Sequence, residues 1–359
     1  MKKIFIAAGG TGGHIYPALA FADEIRSRYP ECRIVFTGSD DRMEKELIPS
    51  RGYEYKALHM GILKGSVVKK AAAAVSYVSA EEKMRRMLKR ERPDACIGFG
   101  NYISIPLILA AERLHIPTMI HEQNSFAGRA NAFLAGRCDA VVCCYEDTMK
   151  QFPAEKTRVL GNPAASAAGR IKADPSVPLQ YGLKPEQPYV LFMMGSLGSD
   201  TVCSVIDKAI PLFQGDWQVL IVAGKAVTYE FLNADRGYVH TAEYVDGAQM
   251  LKQAALAVTR AGATTISEIT VLGTPAVLIP SPFVPNNHQV YNAKELADRG
   301  AAVMIEEGNL NEQVLAGTIN ALMSDKERRD RLSRSAVSLG RPAAAAGMVD
   351  WLEEIIEHE

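Results

Sequence analysis

The sequence lacks several features that mark common classes of protein. Its 359 residues carry 40 basic and 41 acidic side chains, a formal net charge of −1, so no overall field attracts nucleic acid or a membrane. No apolar run approaches the ~18 residues that span a bilayer. The apolar run at the amino terminus ends at Gly9 and is too short for a secretory signal. These absences predict a globular protein without a leader.

The six cysteines show neither a C-x-x-C pair nor the spacing of a zinc site. Most of them lie inside apolar runs, which predicts buried free thiols in a reducing compartment. The cysteines therefore indicate neither a disulfide framework nor a metal centre.

Short apolar runs alternate with helix-length segments along the whole chain. Continuous apolar strands separated by helices are typical of parallel sheets covered on both faces, so an α/β fold with two doubly wound domains is predicted. The predicted strands of the first series are 4–8, 33–37, 95–98, 118–121, 140–144 and 157–160, and those of the second are 189–194, 217–223, 239–241, 256–259, 276–279 and 302–305.

The domain boundary is predicted after Gly161-Asn162-Pro163, because the segment that follows, as far as Pro188, is rich in Ala, Pro and Gly. This division gives domains at 1–163 and 164–341. An apolar stripe predicts a helix over 342–359, and its periodicity does not decide which domain it packs against.

A glycine-rich segment, Gly9-Gly10-Thr11-Gly12-Gly13-His14, follows the first strand and precedes a predicted helix over Ile15–Arg28. This arrangement directs free backbone N–H groups at an anion, and the glycines let a phosphate approach closely. The segment matches neither a Walker A loop nor G-x-G-x-x-G. His14 is therefore either an incidental histidine in a strand-to-helix turn or a titratable group at a phosphate site.

Four more polar segments follow predicted strands, at 121–124, 195–199, 260–269 and 286–293. The segment 195–199 repeats the strand, glycine loop and helix of the amino terminus. Glu268 is either a carboxylate near a helix start, which the helix dipole favours, or a ligand of a ribose diol. The amides of 286–293 either line a solvated loop or suit sugar hydroxyls. Doubly wound folds bind ligands at the strand ends where 121–124 lies.

The segment 64–92 carries nine basic residues against three acids, with apolar residues between them. It is either an amphipathic surface helix whose charges lie in water or a basic, partly apolar face that meets anionic lipid.

Six segments together closely resemble the MurG family of bacterial glycosyltransferases, in order and nearly end to end. They are 9–20, 121–131, 161–163, 195–199, 260–269 and 286–293. The family transfers N-acetylglucosamine from UDP-GlcNAc onto a lipid-linked muramyl-pentapeptide in peptidoglycan synthesis. The resemblance implies a GT-B fold, two Rossmann-like doubly wound domains facing a cleft, with the carboxyl-terminal helix packed on the first domain.

The resemblance also implies an inverting transfer that forms a β-1,4 linkage and needs neither a metal nor another cofactor. It places the protein at the cytoplasmic face of the cell membrane, bound to anionic lipid through 64–92, with no nucleic acid as partner.

The resemblance further implies a role for individual residues. His14 is the candidate base, and Thr11, Gly12 and Gly13 bind the acceptor diphosphate, with Asn124 nearby. The second domain binds the donor: the loop of Ser196 holds the UDP phosphates and Glu268 the ribose. The remaining donor-binding residues implied are Val245, whose backbone meets uracil, and His288, Gln289 and Asn292 near the sugar.

Three positions depart from the family pattern: Met194 and Asn101 replace glycines, and Ala165 lies where an arginine is common. These changes leave open a related transferase with another lipid or small-molecule acceptor. A UDP-GlcNAc epimerase of GT-B architecture, a non-catalytic sugar-nucleotide binder and an NAD-dependent dehydrogenase are further alternatives. The glycine spacing argues against the dehydrogenase.

Overall fold

The structure, a computed structural model, describes residues 1–60, 67–195 and 198–358, with the backbone alone for 67–74. It contains two compact units. The first comprises Met1–Ser166 and Pro342–Glu359, and the second comprises Ala167–Arg341. The second unit is thus inserted into the sequence of the first.

The first unit is built on a seven-stranded parallel sheet of order β3-β2-β1-β4-β5-β6-β7. Its strands are β1 (Lys3–Ala7), β2 (Arg33–Ser39), β3 (Glu54–Leu58), β4 (Ala95–Gly98), β5 (Thr118–Glu122), β6 (Ala140–Cys143) and β7 (Thr157–Val159). The helices that begin in it are α1 (Gly12–Arg28), α2 (Glu44–Ser50), α3 (Val67–Glu91), α4 (Ser104–Glu112), α5 (Arg129–Leu134), α6 (Glu146–Met149) and α7 (Pro163–Gly169).

The second unit contains a six-stranded parallel sheet of order β10-β9-β8-β11-β12-β13. Its strands are β8 (Tyr189–Met193), β9 (Gln218–Val222), β10 (Val239–Ala242), β11 (Leu256–Thr259), β12 (Ala276–Leu278) and β13 (Val303–Met304). Its helices are α8 (Ser176–Leu179), α9 (Asp200–Ala209), α10 (Gly247–Gln253), α11 (Ala263–Leu272), α12 (His288–Ala297), α13 (Glu312–Ser324) and α14 (Lys326–Leu339). The predicted α/β class with two doubly wound sheets is confirmed.

One strand of the first sheet, β3, was not predicted. Its sequence EYKAL contains two charged residues, and only Leu58 at its end is buried. The strand lies at the edge of the sheet, where one side faces no neighbouring strand, so it lacks the apolar run of a central strand.

Helix α1 begins earlier than predicted, at Gly12 rather than Ile15. Thr11 is its extended N-cap residue, so Gly12, Gly13 and His14 form the first helical turn. The predicted six-residue loop is therefore shorter, and the first-turn N–H groups belong to residues 12–14.

The last helix, α15 (Ala344–Glu357), belongs to the core of the first unit. Its residues Met348, Val349 and Leu352 are fully buried in the cluster that contains Phe21 and Ile25 of α1. Arg158 of β7 places its guanidinium 4.4 Å from the centre of the Trp351 ring. The helix thus covers α1 and completes that side of the sheet.

We expect Leu352→Ala to lower the free energy of unfolding of the first unit by ~2–5 kcal/mol, because it opens a cavity in a packed core. The chain has two tryptophans, one in each unit, so Trp217→Phe leaves Trp351 fluorescence to report the first unit during urea unfolding. Glu357→Ala, an exposed change on the same helix, is the control. Equal midpoints for the two variants would contradict the burial of α15.

Candidate active site

The loops after β1, β4 and β5 lie side by side at one edge of the first sheet. The strand order reverses between β1 and β4, and doubly wound folds bind ligands at such a switch point. The sequence-predicted residues Thr11, Gly12, Gly13 and His14 follow β1, and Asn124 follows β5. The topology therefore brings these candidates to a common edge.

His14 lies beside Gly100, which follows β4. A Cβ placed on Gly100 would lie 3.3 Å from His14 Nδ1, 3.3 Å from Gln123 Oε1 and 3.4 Å from Asn131 Nδ2. Gly100 also has a φ of 77°, which disfavours other residues. A side chain here would press on the imidazole, so the glycine keeps room for it.

Beneath this group, His121 is fully buried and neutral. Its Nε2–H donates to the carbonyl of Gly161 at 3.0 Å, which leaves Nδ1 unprotonated. Burial, aided by the nearby His14, lowers the pKa of His121 to about 4. His121 is therefore part of the buried support of the site and not a proton carrier near neutral pH.

Glu122 organises the loop that carries Asn124. Its buried carboxylate accepts hydrogen bonds from the Asn124 backbone at 3.1 Å and the Asn124 side chain at 3.2 Å. It also accepts from Gly128 N at 2.9 Å and Asn131 Nδ2 at 2.8 Å. Burial raises the pKa of Glu122, while these donors oppose the rise. One side chain thus fixes Asn124 and the start of α5.

The glycine segment is supported by two residues that were not assigned to the site from the sequence. The buried carboxylate of Glu44 accepts a hydrogen bond from Gly10 N at 3.0 Å, and a Cβ on Gly9 would lie 2.3 Å from its Oε1. Asn101, at a φ of 62°, donates from its amide to Gly9 O at 3.3 Å. These contacts require glycine at both positions.

In the second unit the strand order reverses between β8 and β11, so the corresponding edge carries the loops after those strands. Ser196, the predicted phosphate-binding residue, lies outside the described residues. Two positions further along the chain, a Cβ placed on Gly198 would lie 2.2 Å from Ala223 O. A Cβ placed on Gly224 would lie 2.7 Å from Gly198 N. The two loops therefore pack backbone against backbone.

Glu268 lies in α11, whose first turn contains no acidic residue. The helix begins at Ala263 after the N-cap Gly262, so Glu268 is one turn further in than expected and does not cap the helix. Burial, followed by the charge of Asp246, raises its pKa to about 7. The carboxylate therefore lacks the stabilisation that a helix start gives, and a hydroxyl donor would supply it.

The segment after β12 holds the remaining donor candidates. His288 Nδ1 donates to Pro285 O at 2.8 Å, and burial lowers its pKa. Gln289 Oε1 accepts from Ser281 N at 2.8 Å. Asn292 is fully buried, and its amide donates to Ala261 O at 3.2 Å. Asn292 thus links α12 to the loop after β11.

Val245 is buried immediately before Asp246, which caps α10 through a 3.1 Å bond from Gln249 N. Within the residues that the structure describes, no three His, Cys, Asp or Glu side chains form a group that could hold a metal ion.

Comparison with known proteins finds similarity along nearly the whole chain. The family described as "Glycosyltransferase family 28 N-terminal domain" matches residues 4–143, and the one described as "Glycosyltransferase family 28 C-terminal domain" matches residues 189–347. A relative from Listeria welshimeri, 35% identical over 97% of this chain and 98% of its own length, is named UDP-N-acetylglucosamine--N-acetylmuramyl-(pentapeptide) pyrophosphoryl-undecaprenol N-acetylglucosamine transferase. A relative from Bacillus licheniformis with the same name is 36% identical over 99% of both chains. The chain belongs to the MurG family of glycosyltransferases.

Solved structures agree with this membership. The crystal structure of MurG from Acinetobacter baumannii matches with a TM-score of 0.81 and 28% identity, covering 99% of this chain and 100% of the other. A putative UDP-N-acetylglucosamine 2-epimerase from Listeria monocytogenes matches with a TM-score of 0.72, 15% identity and 100% and 97% coverage. The second likeness shows the shared GT-B fold alone.

The three departures from the MurG family pattern are accommodated in the structure. The side chain of Met194 is buried in the apolar core of the second unit, and Ala165 is buried in the first. Asn101 takes a left-handed backbone conformation that asparagine tolerates better than most residues. The altered residues therefore fit the fold of the family.

Helix α3 is the predicted membrane-facing segment. Met84 and Leu88 are fully buried, whereas Val75 and Val78 are 69% and 66% exposed. Its basic residues Arg86, Lys89 and Arg90 are also exposed. The predicted membrane-facing segment 64–92 lies partly outside the described residues, which omit 61–66 and the side chains of 67–74. In the described part of the chain no helix is long and apolar enough to cross a membrane.

We expect the Glu268 carboxyl to titrate with a pKa of about 7 in the ligand-free protein, measured by ¹³C NMR. Asp246→Asn removes a like charge and keeps the helix cap, so the pKa should fall. Because the pKa lies above the ordinary 4.5, protonated Glu268 favours the folded state at low pH, and this contribution is lost as pH rises through about 7. A Glu268 that titrates with the exposed glutamates would contradict this environment.

Proposed function

We propose that this chain transfers N-acetylglucosamine from UDP-GlcNAc to the C4 hydroxyl of lipid-linked N-acetylmuramyl-pentapeptide, the step that converts lipid I to lipid II in peptidoglycan synthesis. The observation that carries this proposal is the near-full-length similarity to transferases of that name. The edge of the first sheet supports it, since the glycine segment after β1 is suited to a phosphate. The reaction is a hexosyl transfer with inversion at C1.

In this proposal His14 is the base. An inverting transfer needs the acceptor hydroxyl to lose its proton while it attacks C1 from the face opposite UDP. The imidazole lies in the first turn of α1, where the helix dipole disfavours its charged form and keeps a lone pair available. Histidine titrates in the range that this task requires.

The acceptor diphosphate binds at Thr11, Gly12 and Gly13. Thr11 and Gly13 are exposed at the start of α1. Because His14 N donates to Thr11 O at 3.1 Å, Gly12 and Gly13 supply the first-turn N–H groups for the anion. Asn124, held by Glu122, contacts the acceptor sugar from the neighbouring loop.

The second unit binds the donor. Glu268 accepts hydrogen bonds from the uridine ribose, and the backbone near Val245 contacts uracil. The loop of Ser196 and the start of α9 stabilise the charge that develops on the leaving diphosphate. His288 and Gln289 contact the transferred sugar, and buried Asn292 holds their helix against the loop after β11.

His14→Ala should lower kcat for transfer by ~10²–10⁴-fold, the usual loss of a general base, and leave UDP-GlcNAc affinity unchanged. Transfer to a lipid-linked muramyl-pentapeptide analogue is measured by mass with EDTA present, and donor affinity by calorimetry. His358→Ala, an exposed histidine at the end of α15, is the control.

Two results would contradict parts of this proposal. Turnover of His14→Ala close to that of the unaltered protein would exclude His14 as the base. UDP-GlcNAc binding by the unaltered protein without any lipid product would exclude this acceptor and point to another one.

We further propose that α3 binds the cytoplasmic face of the cell membrane through anionic lipid. Val75 and Val78 supply exposed apolar surface, and Arg86, Lys89 and Arg90 supply positive charge. Glu82 offsets part of that charge, since it pairs with Arg85 at 2.8 Å and with Arg86 at 2.9 Å. Arg90 lies 3.4 Å from Glu91, but Glu91 pairs more closely with Lys3 and Arg33. Lys89 and Arg90 therefore make the larger contribution to attraction by anionic head groups.

The double variant Lys89→Glu with Arg90→Glu should lower binding to phosphatidylglycerol vesicles about tenfold or more, because each basic residue contributes about 1 kcal/mol near an anionic surface. Flotation measures the bound fraction. Lys252→Glu with Arg334→Glu makes the same charge change on exposed residues of the second unit and should bind like the unaltered protein. Equal flotation of both variants would exclude the α3 face.

A further inference from the structure

The turn between β2 and α2, residues 40–43, lies against the glycine segment of the acceptor site. Glu44 holds this turn closed, because its Oε1 accepts from Ser39 N at 3.2 Å and from Ser39 Oγ at 2.6 Å. The other carboxylate oxygen accepts from Gly10 N at 3.0 Å. A single buried side chain therefore fixes the turn to the glycine segment.

Arg42 is the cationic residue of this turn, and its position points to an anion. A Cβ placed on Gly10 would lie 3.8 Å from Arg42 Nη1, so the guanidinium lies at the opening of the glycine segment. Its central carbon lies 5.7 Å from the centre of the Tyr102 ring, which follows β4. The arginine is thus oriented by an aromatic ring from the adjacent loop.

Within the described parts of the chain, Arg42 forms no ion pair with a carboxylate. Among the described residues, no Asp or Glu oxygen lies within 4.0 Å of its guanidinium, and the neighbouring Asp40 pairs with His59 at 2.9 Å. Glu44, by contrast, places a buried negative charge under the glycine segment and occupies the N–H of Gly10. A diphosphate bound here needs a cation to offset that charge, and a guanidinium matches phosphate geometry.

We propose that Arg42 binds the diphosphate of the lipid-linked acceptor at the opening of the glycine segment and that Glu44 is the positioning residue that holds it there. This inference rests on the proposed function. It adds a charged ligand to a site that otherwise offers backbone N–H groups, and it assigns the turn 40–43 to substrate binding.

The kinetic test compares Arg42→Ala and Arg42→Lys with Arg51→Ala, an exposed arginine just after α2. Arg42→Ala should raise the acceptor KM about tenfold or more, the usual effect of losing a charged hydrogen bond, and leave the donor KM unchanged. Arg42→Lys should lie between, because it keeps the charge and loses the planar fork. An unchanged acceptor KM, or an equal rise in the donor KM, would overturn the proposal.

The role of Glu44 is tested by a double-mutant cycle. Glu44→Gln alone should raise the acceptor KM, and it should add little in the Arg42→Ala background, because both changes remove the same contact. Fully additive effects would show that Glu44 supports the fold alone and would overturn its positioning role. Thermal unfolding of each variant identifies any that fails to fold.

A binding experiment separates this inference from the proposed function. Calorimetry with inorganic pyrophosphate, with UDP saturating the donor site, should give about tenfold weaker binding for Arg42→Ala than for the unaltered protein. If no lipid product forms and this difference persists, the proposed function fails and the anion site at Arg42 remains. Equal binding by the two proteins, or none by the unaltered protein, would overturn the site.

Discussion

The site of the first unit depends on two buried carboxylates that hold backbone N–H groups of loops. Glu44 joins the glycine segment to the turn after β2, and Glu122 joins the loop after β5 to the start of α5. Buried carboxylates are costly unless such donors satisfy them, so each fixes its loop strongly. The positions of His14, Asn124 and Arg42 follow from these bonds.

The second unit fixes its site differently. Gly198 and Gly224 let two loops touch through their backbones. A partly buried pair between Arg260 and Glu307 at 2.5 Å fixes the loop after β11. Glu268 has a raised pKa. The first unit thus satisfies Glu44 and Glu122 internally, whereas Glu268 in the second unit would gain most from a hydrogen-bond donor on a ligand.

The sequence predicted twelve of the thirteen strands in the described residues, because most of these parallel strands are apolar runs bounded by turn residues. It missed β3, because EYKAL carries two charged residues and buries only Leu58, and it started α1 at Ile15 because glycines disfavour helices. It assigned no role to Glu44 or Arg42, since their contacts with Gly10 join segments more than thirty residues apart. Asp40-Asp41-Arg42-Met43-Glu44 after a strand end was the available signal.

Because α15 packs on the first unit, it also affects the order in which the two units can fold during synthesis. Residues 167–341 are continuous, so a ribosome delivers the whole second unit before it delivers the helix that completes the first. Domains generally fold as their residues emerge from the ribosome. The first unit, however, lacks α15 until the end of synthesis, and until then this helix does not cover Phe21 and Ile25. During synthesis the second unit therefore has all its residues before the first unit does. A chain that ends before residue 344 lacks the helix that completes the core of the first unit.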